Sequence, residues 1–135
     1  MHVPLLLAGP GLQARDIDRE VALVDLAPTM LSAVGVPMVP EMQGRDLGPL
    51  LRGEDVPSRP VYLGTWYTEL GTGEKMVHPI GAIEGGAKVV MDLRSRALAF
   101  FDLSSDPKED HNLLAGHPDE RFLGLSAALV GWYGL

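Results

Sequence analysis

Few residues in this chain have the type and setting to do chemistry. Asp25 interrupts the apolar run LVDLAPTMLSAVGVP, Leu23 to Pro37, and Pro28 and Thr29 follow it. A carboxylate there could act as acid, base or metal ligand, which wants polar groups beside it. It could instead cap a helix, accepting hydrogen bonds from the free amides of the first turn. Its neighbours are aliphatic, and a proline costs little in a first turn, where its missing N–H has no partner. Capping is therefore the expected role of Asp25, with Thr29 bonding locally. The four histidines, His2, His78, His111 and His117, show no HxH, HxxH or HExxH spacing, so a histidine metal site is not expected. His117 precedes Pro118 at a helix start, and His111 lies among acids in KEDHN; both read as solvated. His78 follows the glycine-containing loop TELGTGEKMV and is the one candidate for a substrate contact, together with the loop from Thr72 to Met76. Glu69, Glu74, Glu84, Asp92 and Asp102 read as solvent-facing charges. Glycine-rich phosphate loops, G-x-S-x-G elbows and zinc spacings are absent. The residues by themselves predict neither a catalytic constellation nor a metal site.

The elements that must position these residues belong to an ordinary globular chain. It has 135 residues, 46% hydrophobic and 21% charged, enough for one domain with a core. A net charge of −7 argues against a nucleic-acid or anionic-membrane surface, which would need clustered Lys and Arg. The absence of cysteine excludes disulfides, thiolate metal sites and a cysteine nucleophile. No apolar run is long enough to span a bilayer and no signal peptide is visible, so a chain expressed as it stands is expected in the cytoplasm.

HVPLLLAGPG reads as a short buried strand stopped by Gly9-Pro10-Gly11. The apolar positions 23, 26, 27, 30, 31 and 34 fall on one face of a helix that Gly35 and Pro37 end. Met38 to Pro60 reads as a long connection with one helical turn near Leu47 to Leu51. PVYLGTWY is a strand, and GAIEGGAKVVMD is a hairpin whose Gly85-Gly86 turn needs positive φ. LRSR turns the chain into ALAFFDL, completing an antiparallel meander of three or four strands. The last element is an amphipathic helix with Pro118 near its start and Phe122, Leu125, Leu129, Trp132 and Tyr133 on one face.

DVPSRP, Asp55 to Pro60, is similar in spacing to the C/S-x-P-S-R signature in which Cys or Ser becomes formylglycine, the aldehyde nucleophile of sulfatases. Asp55 stands at the nucleophile position and cannot become an aldehyde by that route. The order of larger segments says more. VPLLLAGPG, ALVDLAPTMLSAVGVP, MQGRDLGPLLRG, RPVY, AIEGGAKVVMDL and LAFFDLSSDPKEDHNLLAGHPD together resemble the C-terminal portion of sulfatases, of the alkaline phosphatase superfamily. FFDLSSDPKEDHNL looks like the family's YDL-x-x-DP-x-E-x-x-NL run, and Gly44, Asp46 and Leu47 stand where it usually has Gly-x-Ser-Leu. Lys88 matches a common lysine, whereas Glu84 replaces the arginine often found ahead of the hairpin turn.

The resemblance implies an α/β fold, α+β as an isolated piece. One strand and helix of an alkaline-phosphatase-like body and a wrapping loop would occupy residues 1–55. The antiparallel meander and C-terminal helix would occupy residues 56–135. It makes Asp25, Pro28, Thr29, Asp106 and Asn112 structural motif positions. Asp106-Pro107 forms a turn, and Asn112 bonds local backbone. In the full-length family, formylglycine and calcium perform sulfate ester hydrolysis, but the residues carrying them precede the strand that here begins at Val3. This chain is then expected to bind no cofactor and to be inactive alone, a small sulfate ester being substrate only of an intact parent. A phosphodiesterase or phosphonate hydrolase of the same superfamily, or a non-catalytic interaction module derived from the tail, are the competing readings. An unpaired apolar first strand would also favour self-association.

Overall fold

The structure, a computed structural model, describes residues 3–68, 75–116 and 119–134, and the side chains of these outside 65–78. It divides into two compact units, Met1–Pro57 and Ser58–Leu135.

In the first unit a 3-10 turn, Leu23–Asp25, runs into helix α1, Leu26–Ala33. Gly35, at φ 71°, follows the helix end, as the Gly-Pro stop predicts. A second short helix, α2, Gly48–Arg52, has Pro49 in its first turn and ends at Gly53 in the left-handed conformation. Two expectations fail here. Residues 3–8 form no strand, and Leu6 is 88% exposed. A strand exists only as part of a ladder, and among the described residues no neighbour supplies one. The burial of α1 also departs from its hydrophobic pattern, of which only Leu26 and Leu31 are half-buried. Leu23, Met30 and Val34 are exposed, while Asp25, Pro28 and Thr29 are buried. The helix is held through its polar face by hydrogen bonds, while on its apolar face Leu26 and Leu31 are half-buried and Met30 and Val34 are exposed.

The second unit is the expected meander. Strands β1, Val61–Thr68, β2, Lys75–Glu84, β3, Ala87–Met91, and β4, Leu98–Asp102, pair antiparallel in sequence order. The β2–β3 turn places Gly85 and Gly86 at φ 58° and 76°, a pair of angles that only glycine adopts cheaply. Ala82, Val89 and Phe100 lie opposite one another on β2, β3 and β4. Helix α3, Glu120–Tyr133, covers that face with Phe122, Leu125 and Leu129. Phe122 meets Phe100 edge to face, with ring centroids 5.1 Å apart. Trp132, expected on the same helix face, is 44% exposed and stacks flat on Tyr62 of β1 at 4.7 Å.

β2 begins earlier than the sequence suggests. His78 and Pro79, expected in or just after a loop, lie inside the strand, where the register with β1 shifts between Gly64 and Trp66. Two residues of β2 there oppose one of β1, a bulge that suits Pro79, which has no N–H for the ladder.

On the face of β3 opposite the core, Lys88 is 8% exposed, and its ammonium is shared by both oxygens of Glu109 at 2.7 and 2.6 Å. Glu109 is held at φ 63°, a strained angle for a non-glycine residue. Desolvating a lysine is costly unless its charge is met, so the pair pins the 103–112 connection to the sheet. Glu109→Ala should cost about 3 kcal/mol, because it strands a buried ammonium. Combining Lys88→Met with Glu109→Gln should cost clearly less than the two single changes summed, as read by urea denaturation. Strict additivity would contradict the pairing.

Candidate functional site

The residues singled out in the sequence fall into two separate hydrogen-bonded constructions, one in each unit. In the first, Asp25 is completely buried. It stands at the N-cap position of α1, but its carboxylate makes no cap bond to that helix, a departure from the expected role. One oxygen accepts the N–H of Ala22 at 2.9 Å, and the other accepts the N–H of Arg45, twenty residues away, also at 2.9 Å. The first amides of α1 follow directly from the 3-10 turn, so the carboxylate is free to reach back and across instead.

Thr29 extends the same link one turn along α1. Its hydroxyl donates to the carbonyl of Asp25 at 2.6 Å and accepts the N–H of buried Leu47 at 2.9 Å. Further out, the Ser32 hydroxyl donates to Asp46 at 2.7 Å, whose other oxygen takes the N–H of Gly48 at 2.7 Å. Asp46 thus occupies the position where the resemblance places a serine, and it accepts at the start of α2. Gly44 sits at the tightest point: a Cβ there would lie 1.9 Å from the carbonyl oxygen of Val24, so no side chain fits. The Arg45 guanidinium donates to the carbonyl of Pro57 at 2.7 Å, tying down the end of the unit. Pro28 is buried beside these groups.

In the second unit the Asp106 carboxylate accepts the N–H groups of His111 and Asp110 at 2.8 and 3.1 Å. The bond from His111 is the largest influence lowering its pKa below the ordinary 3.8, ahead of a partial desolvation that opposes it. Asn112 does more than the local bonding expected of it. Its side-chain oxygen accepts from Leu114, capping a 3-10 turn, and from Phe100 in β4, both at 3.0 Å. Asp119 caps α3 through the N–H of Phe122 at 3.2 Å, and its pKa is lowered chiefly by the Arg121 side chain.

His78 lies at the β2 bulge, but its side chain falls outside the described residues, as do residues 72–74 of the loop before it. The sequence reading missed Arg45 and Glu109 as partners of Asp25 and Lys88. A backbone donor carries no residue-type signature, and a pair 21 positions apart has no local period. An open cleft of about 330 Å3 is lined by residues 15–19 and by Leu50, Gly53, Glu54 and Asp55. Its two arginines stand against four carboxylates, and Arg19 contacts Asp55 at 3.4 Å. Among the described residues no group of three His, Cys, Asp or Glu could hold a metal ion.

A scaffold carboxylate and a catalytic one differ in what their removal does. Asp25→Ala should cost about 3 kcal/mol of stability, since it leaves two amides without their acceptor. Gly44→Ala should be at least as damaging, and both are checked by thermal unfolding. The Asp106 pKa gives a pH test with a definite sign. Because the folded value is depressed, its stabilisation is complete above the ordinary 3.8 and is lost as pH falls through the lower folded value. The His111 amide resonance should therefore titrate below the usual aspartate range, and Asp106→Asn should abolish that transition.

Comparison with known proteins places these constructions. The family described as N-sulphoglucosamine sulphohydrolase, C-terminal, matches residues 1–124. The chain is 34% identical over 107 residues to the extracellular sulfatase SULF-1 homolog of Drosophila melanogaster, covering 78% of this chain and 9% of that protein. It is 33% identical over 131 residues to arylsulfatase K of Bos taurus, covering 87% of this chain and 23% of that protein. The chain thus spans less than a quarter of the length of either relative. Among solved structures, a 2-O GAG sulfatase superposes at a TM-score of 0.70 and 26% identity, over 93% of this chain and 28% of that one. The phosphonate monoester hydrolase of Agrobacterium radiobacter shares the fold at a TM-score of 0.66 and 19% identity, over 89% of this chain and 26% of that one. With the family match running over all but the last eleven of 135 residues, the chain belongs to the sulfatases and corresponds to their C-terminal portion.

Proposed function

We infer that this chain serves as the C-terminal portion of a sulfuric ester hydrolase and does not turn over substrate by itself. One observation carries the reading: the polar groups at its family-like positions are spent on construction. Asp25, Thr29, Asp46, Asp106 and Asn112 all accept main-chain N–H groups of this same chain. A carboxylate so occupied holds backbone in place; it is not poised to move a substrate proton.

Calcium and a formylglycine nucleophile are what the sulfatase resemblance implies for the whole enzyme. Calcium wants a cage of several oxygens, and the described residues offer no such group. The residues present do not fit that ion, and no step of catalysis is assigned to them. The preference for sulfate over phosphate rests on the sequence relatives, since the fold alone is shared with a phosphonate hydrolase.

The purified chain, assayed on an aryl sulfate with calcium, should show no turnover above buffer. Turnover well above buffer would overturn the claim that it is inactive alone. The sulfatase assignment has its own check in the coding sequence upstream of Met1. An in-frame C/S-x-P-x-R with nearby aspartates is expected, and a Ser or Thr nucleophile without that motif would move the parent to a phosphatase-type relative.

A further inference from the structure

The second unit, Ser58–Leu135, closes a core of its own. Ile80, Ala82, Val89 and Phe100 of the sheet form one cluster with Leu125 and Leu129 of α3, and none of the six is more than 4% exposed. A sheet of three or more strands with a packed apolar face is the least that stands alone, and here four strands carry a covering helix. The strands pair in sequence order, so each ladder joins neighbours along the chain and calls on no distant segment. The costly polar groups are also met within the unit. Glu109 takes the Lys88 ammonium, and Asn112 takes the N–H of Phe100. Helix α3 is capped at both ends: Asp119 accepts the N–H of Phe122, and Gly134, in the left-handed conformation, donates its N–H to the carbonyl of Val130. Arg121, in the first turn of α3, reaches Asp102 at the end of β4 at 3.7 Å and ties helix to sheet.

We propose that residues 58–135 are a self-sufficient folding module, which keeps its sheet and helix when residues 1–57 are unfolded. Chain segments unfold together only so far as they share contacts, and contiguous supersecondary units commonly open as separate cooperative blocks. The core, the caps and the buried ion pair of this module draw on no residue before Ser58. The links that hold the first unit, from Asp25 to Arg45, from Thr29 to Leu47 and around Gly44, are made among residues 22–47 and supply nothing to that core. The proposal does not depend on the sulfatase reading, and its test involves no enzyme assay.

The test is amide hydrogen exchange, read by NMR, on the full 135-residue chain beside Gly44→Val, Asp25→Ala and Leu129→Ala. Gly44→Val places a side chain where even a Cβ meets the Val24 carbonyl, and Asp25→Ala removes the acceptor of two amides. Both open the first unit, and fast exchange of the Arg45 and Leu47 amides reports that opening. In both variants the amides of Val89, Phe100 and Leu125 should exchange within about threefold of their rates in the unsubstituted chain. Leu129→Ala, which empties a fully buried site, should speed the same three amides by about thirtyfold or more. Acceleration of these amides beyond threefold when the first unit opens overturns the proposal. So does a Leu129→Ala chain in which their rates are unchanged.

Discussion

A main-chain N–H cut off from water must find an acceptor, and in both units of this chain the loops find theirs on side-chain oxygens. Helices and strands satisfy their own amides, whereas a connection such as residues 38–47 or 103–112 has no ladder to rely on. Asp25, Thr29 and Asp46 supply the acceptors for the first connection. Asp106 and Asn112 supply them for the second. Each charge-assisted bond to the buried Asp25 is worth about 1.5–3 kcal/mol, more than an ordinary neutral one such as that to Thr29. A few residues can therefore hold long irregular segments in one conformation.

The same constraint explains the unusual burial in the first unit. A carboxylate with no exposure is costly unless its oxygens are occupied, and Asp25 has amides on both. Building that network fixes which side of α1 faces the loop, and it selects the side bearing Asp25, Pro28 and Thr29. Met30 and Val34 are turned outward as a consequence, with Leu26 and Leu31 half-buried. Gly44 completes the arrangement, because the loop can approach the 3-10 turn closely enough to bond only where no Cβ intervenes. In the second unit the order is conventional: an apolar face of the sheet is covered by an apolar face of α3. The Lys88–Glu109 pair then secures the connection behind it.

Local chemistry was legible wherever it is self-contained. The Gly85-Gly86 turn, the glycine stop after α1 and the short α2 need only their own few residues. Strand boundaries were less legible: β2 extends back through His78 and Pro79 because a bulge absorbs the proline, and a bulge depends on the partner strand. The cover over Trp132 and the bonding of Asp25 were not legible for related reasons. Whether an aromatic at the end of α3 is covered depends on how far the sheet extends beneath it. A cap competes with more distant amides that no local pattern reveals.

The sequence by itself determined the family, through the order of its segments and the run from Phe100 to Leu113, and it determined the meander through turn residues and alternation. It also marked Asp25, Pro28, Thr29, Asp106 and Asn112 as structural positions. Only the tertiary structure decided what those positions hold. Arg45 N–H meets Asp25 across twenty residues, Phe100 N–H meets Asn112 across twelve, and Lys88 meets Glu109 across twenty-one. The tertiary structure also decided that α1 is held by its polar side. Helical periodicity reports which face is apolar, but a face is buried only where something covers it, and that depends on contacts between distant parts of the chain.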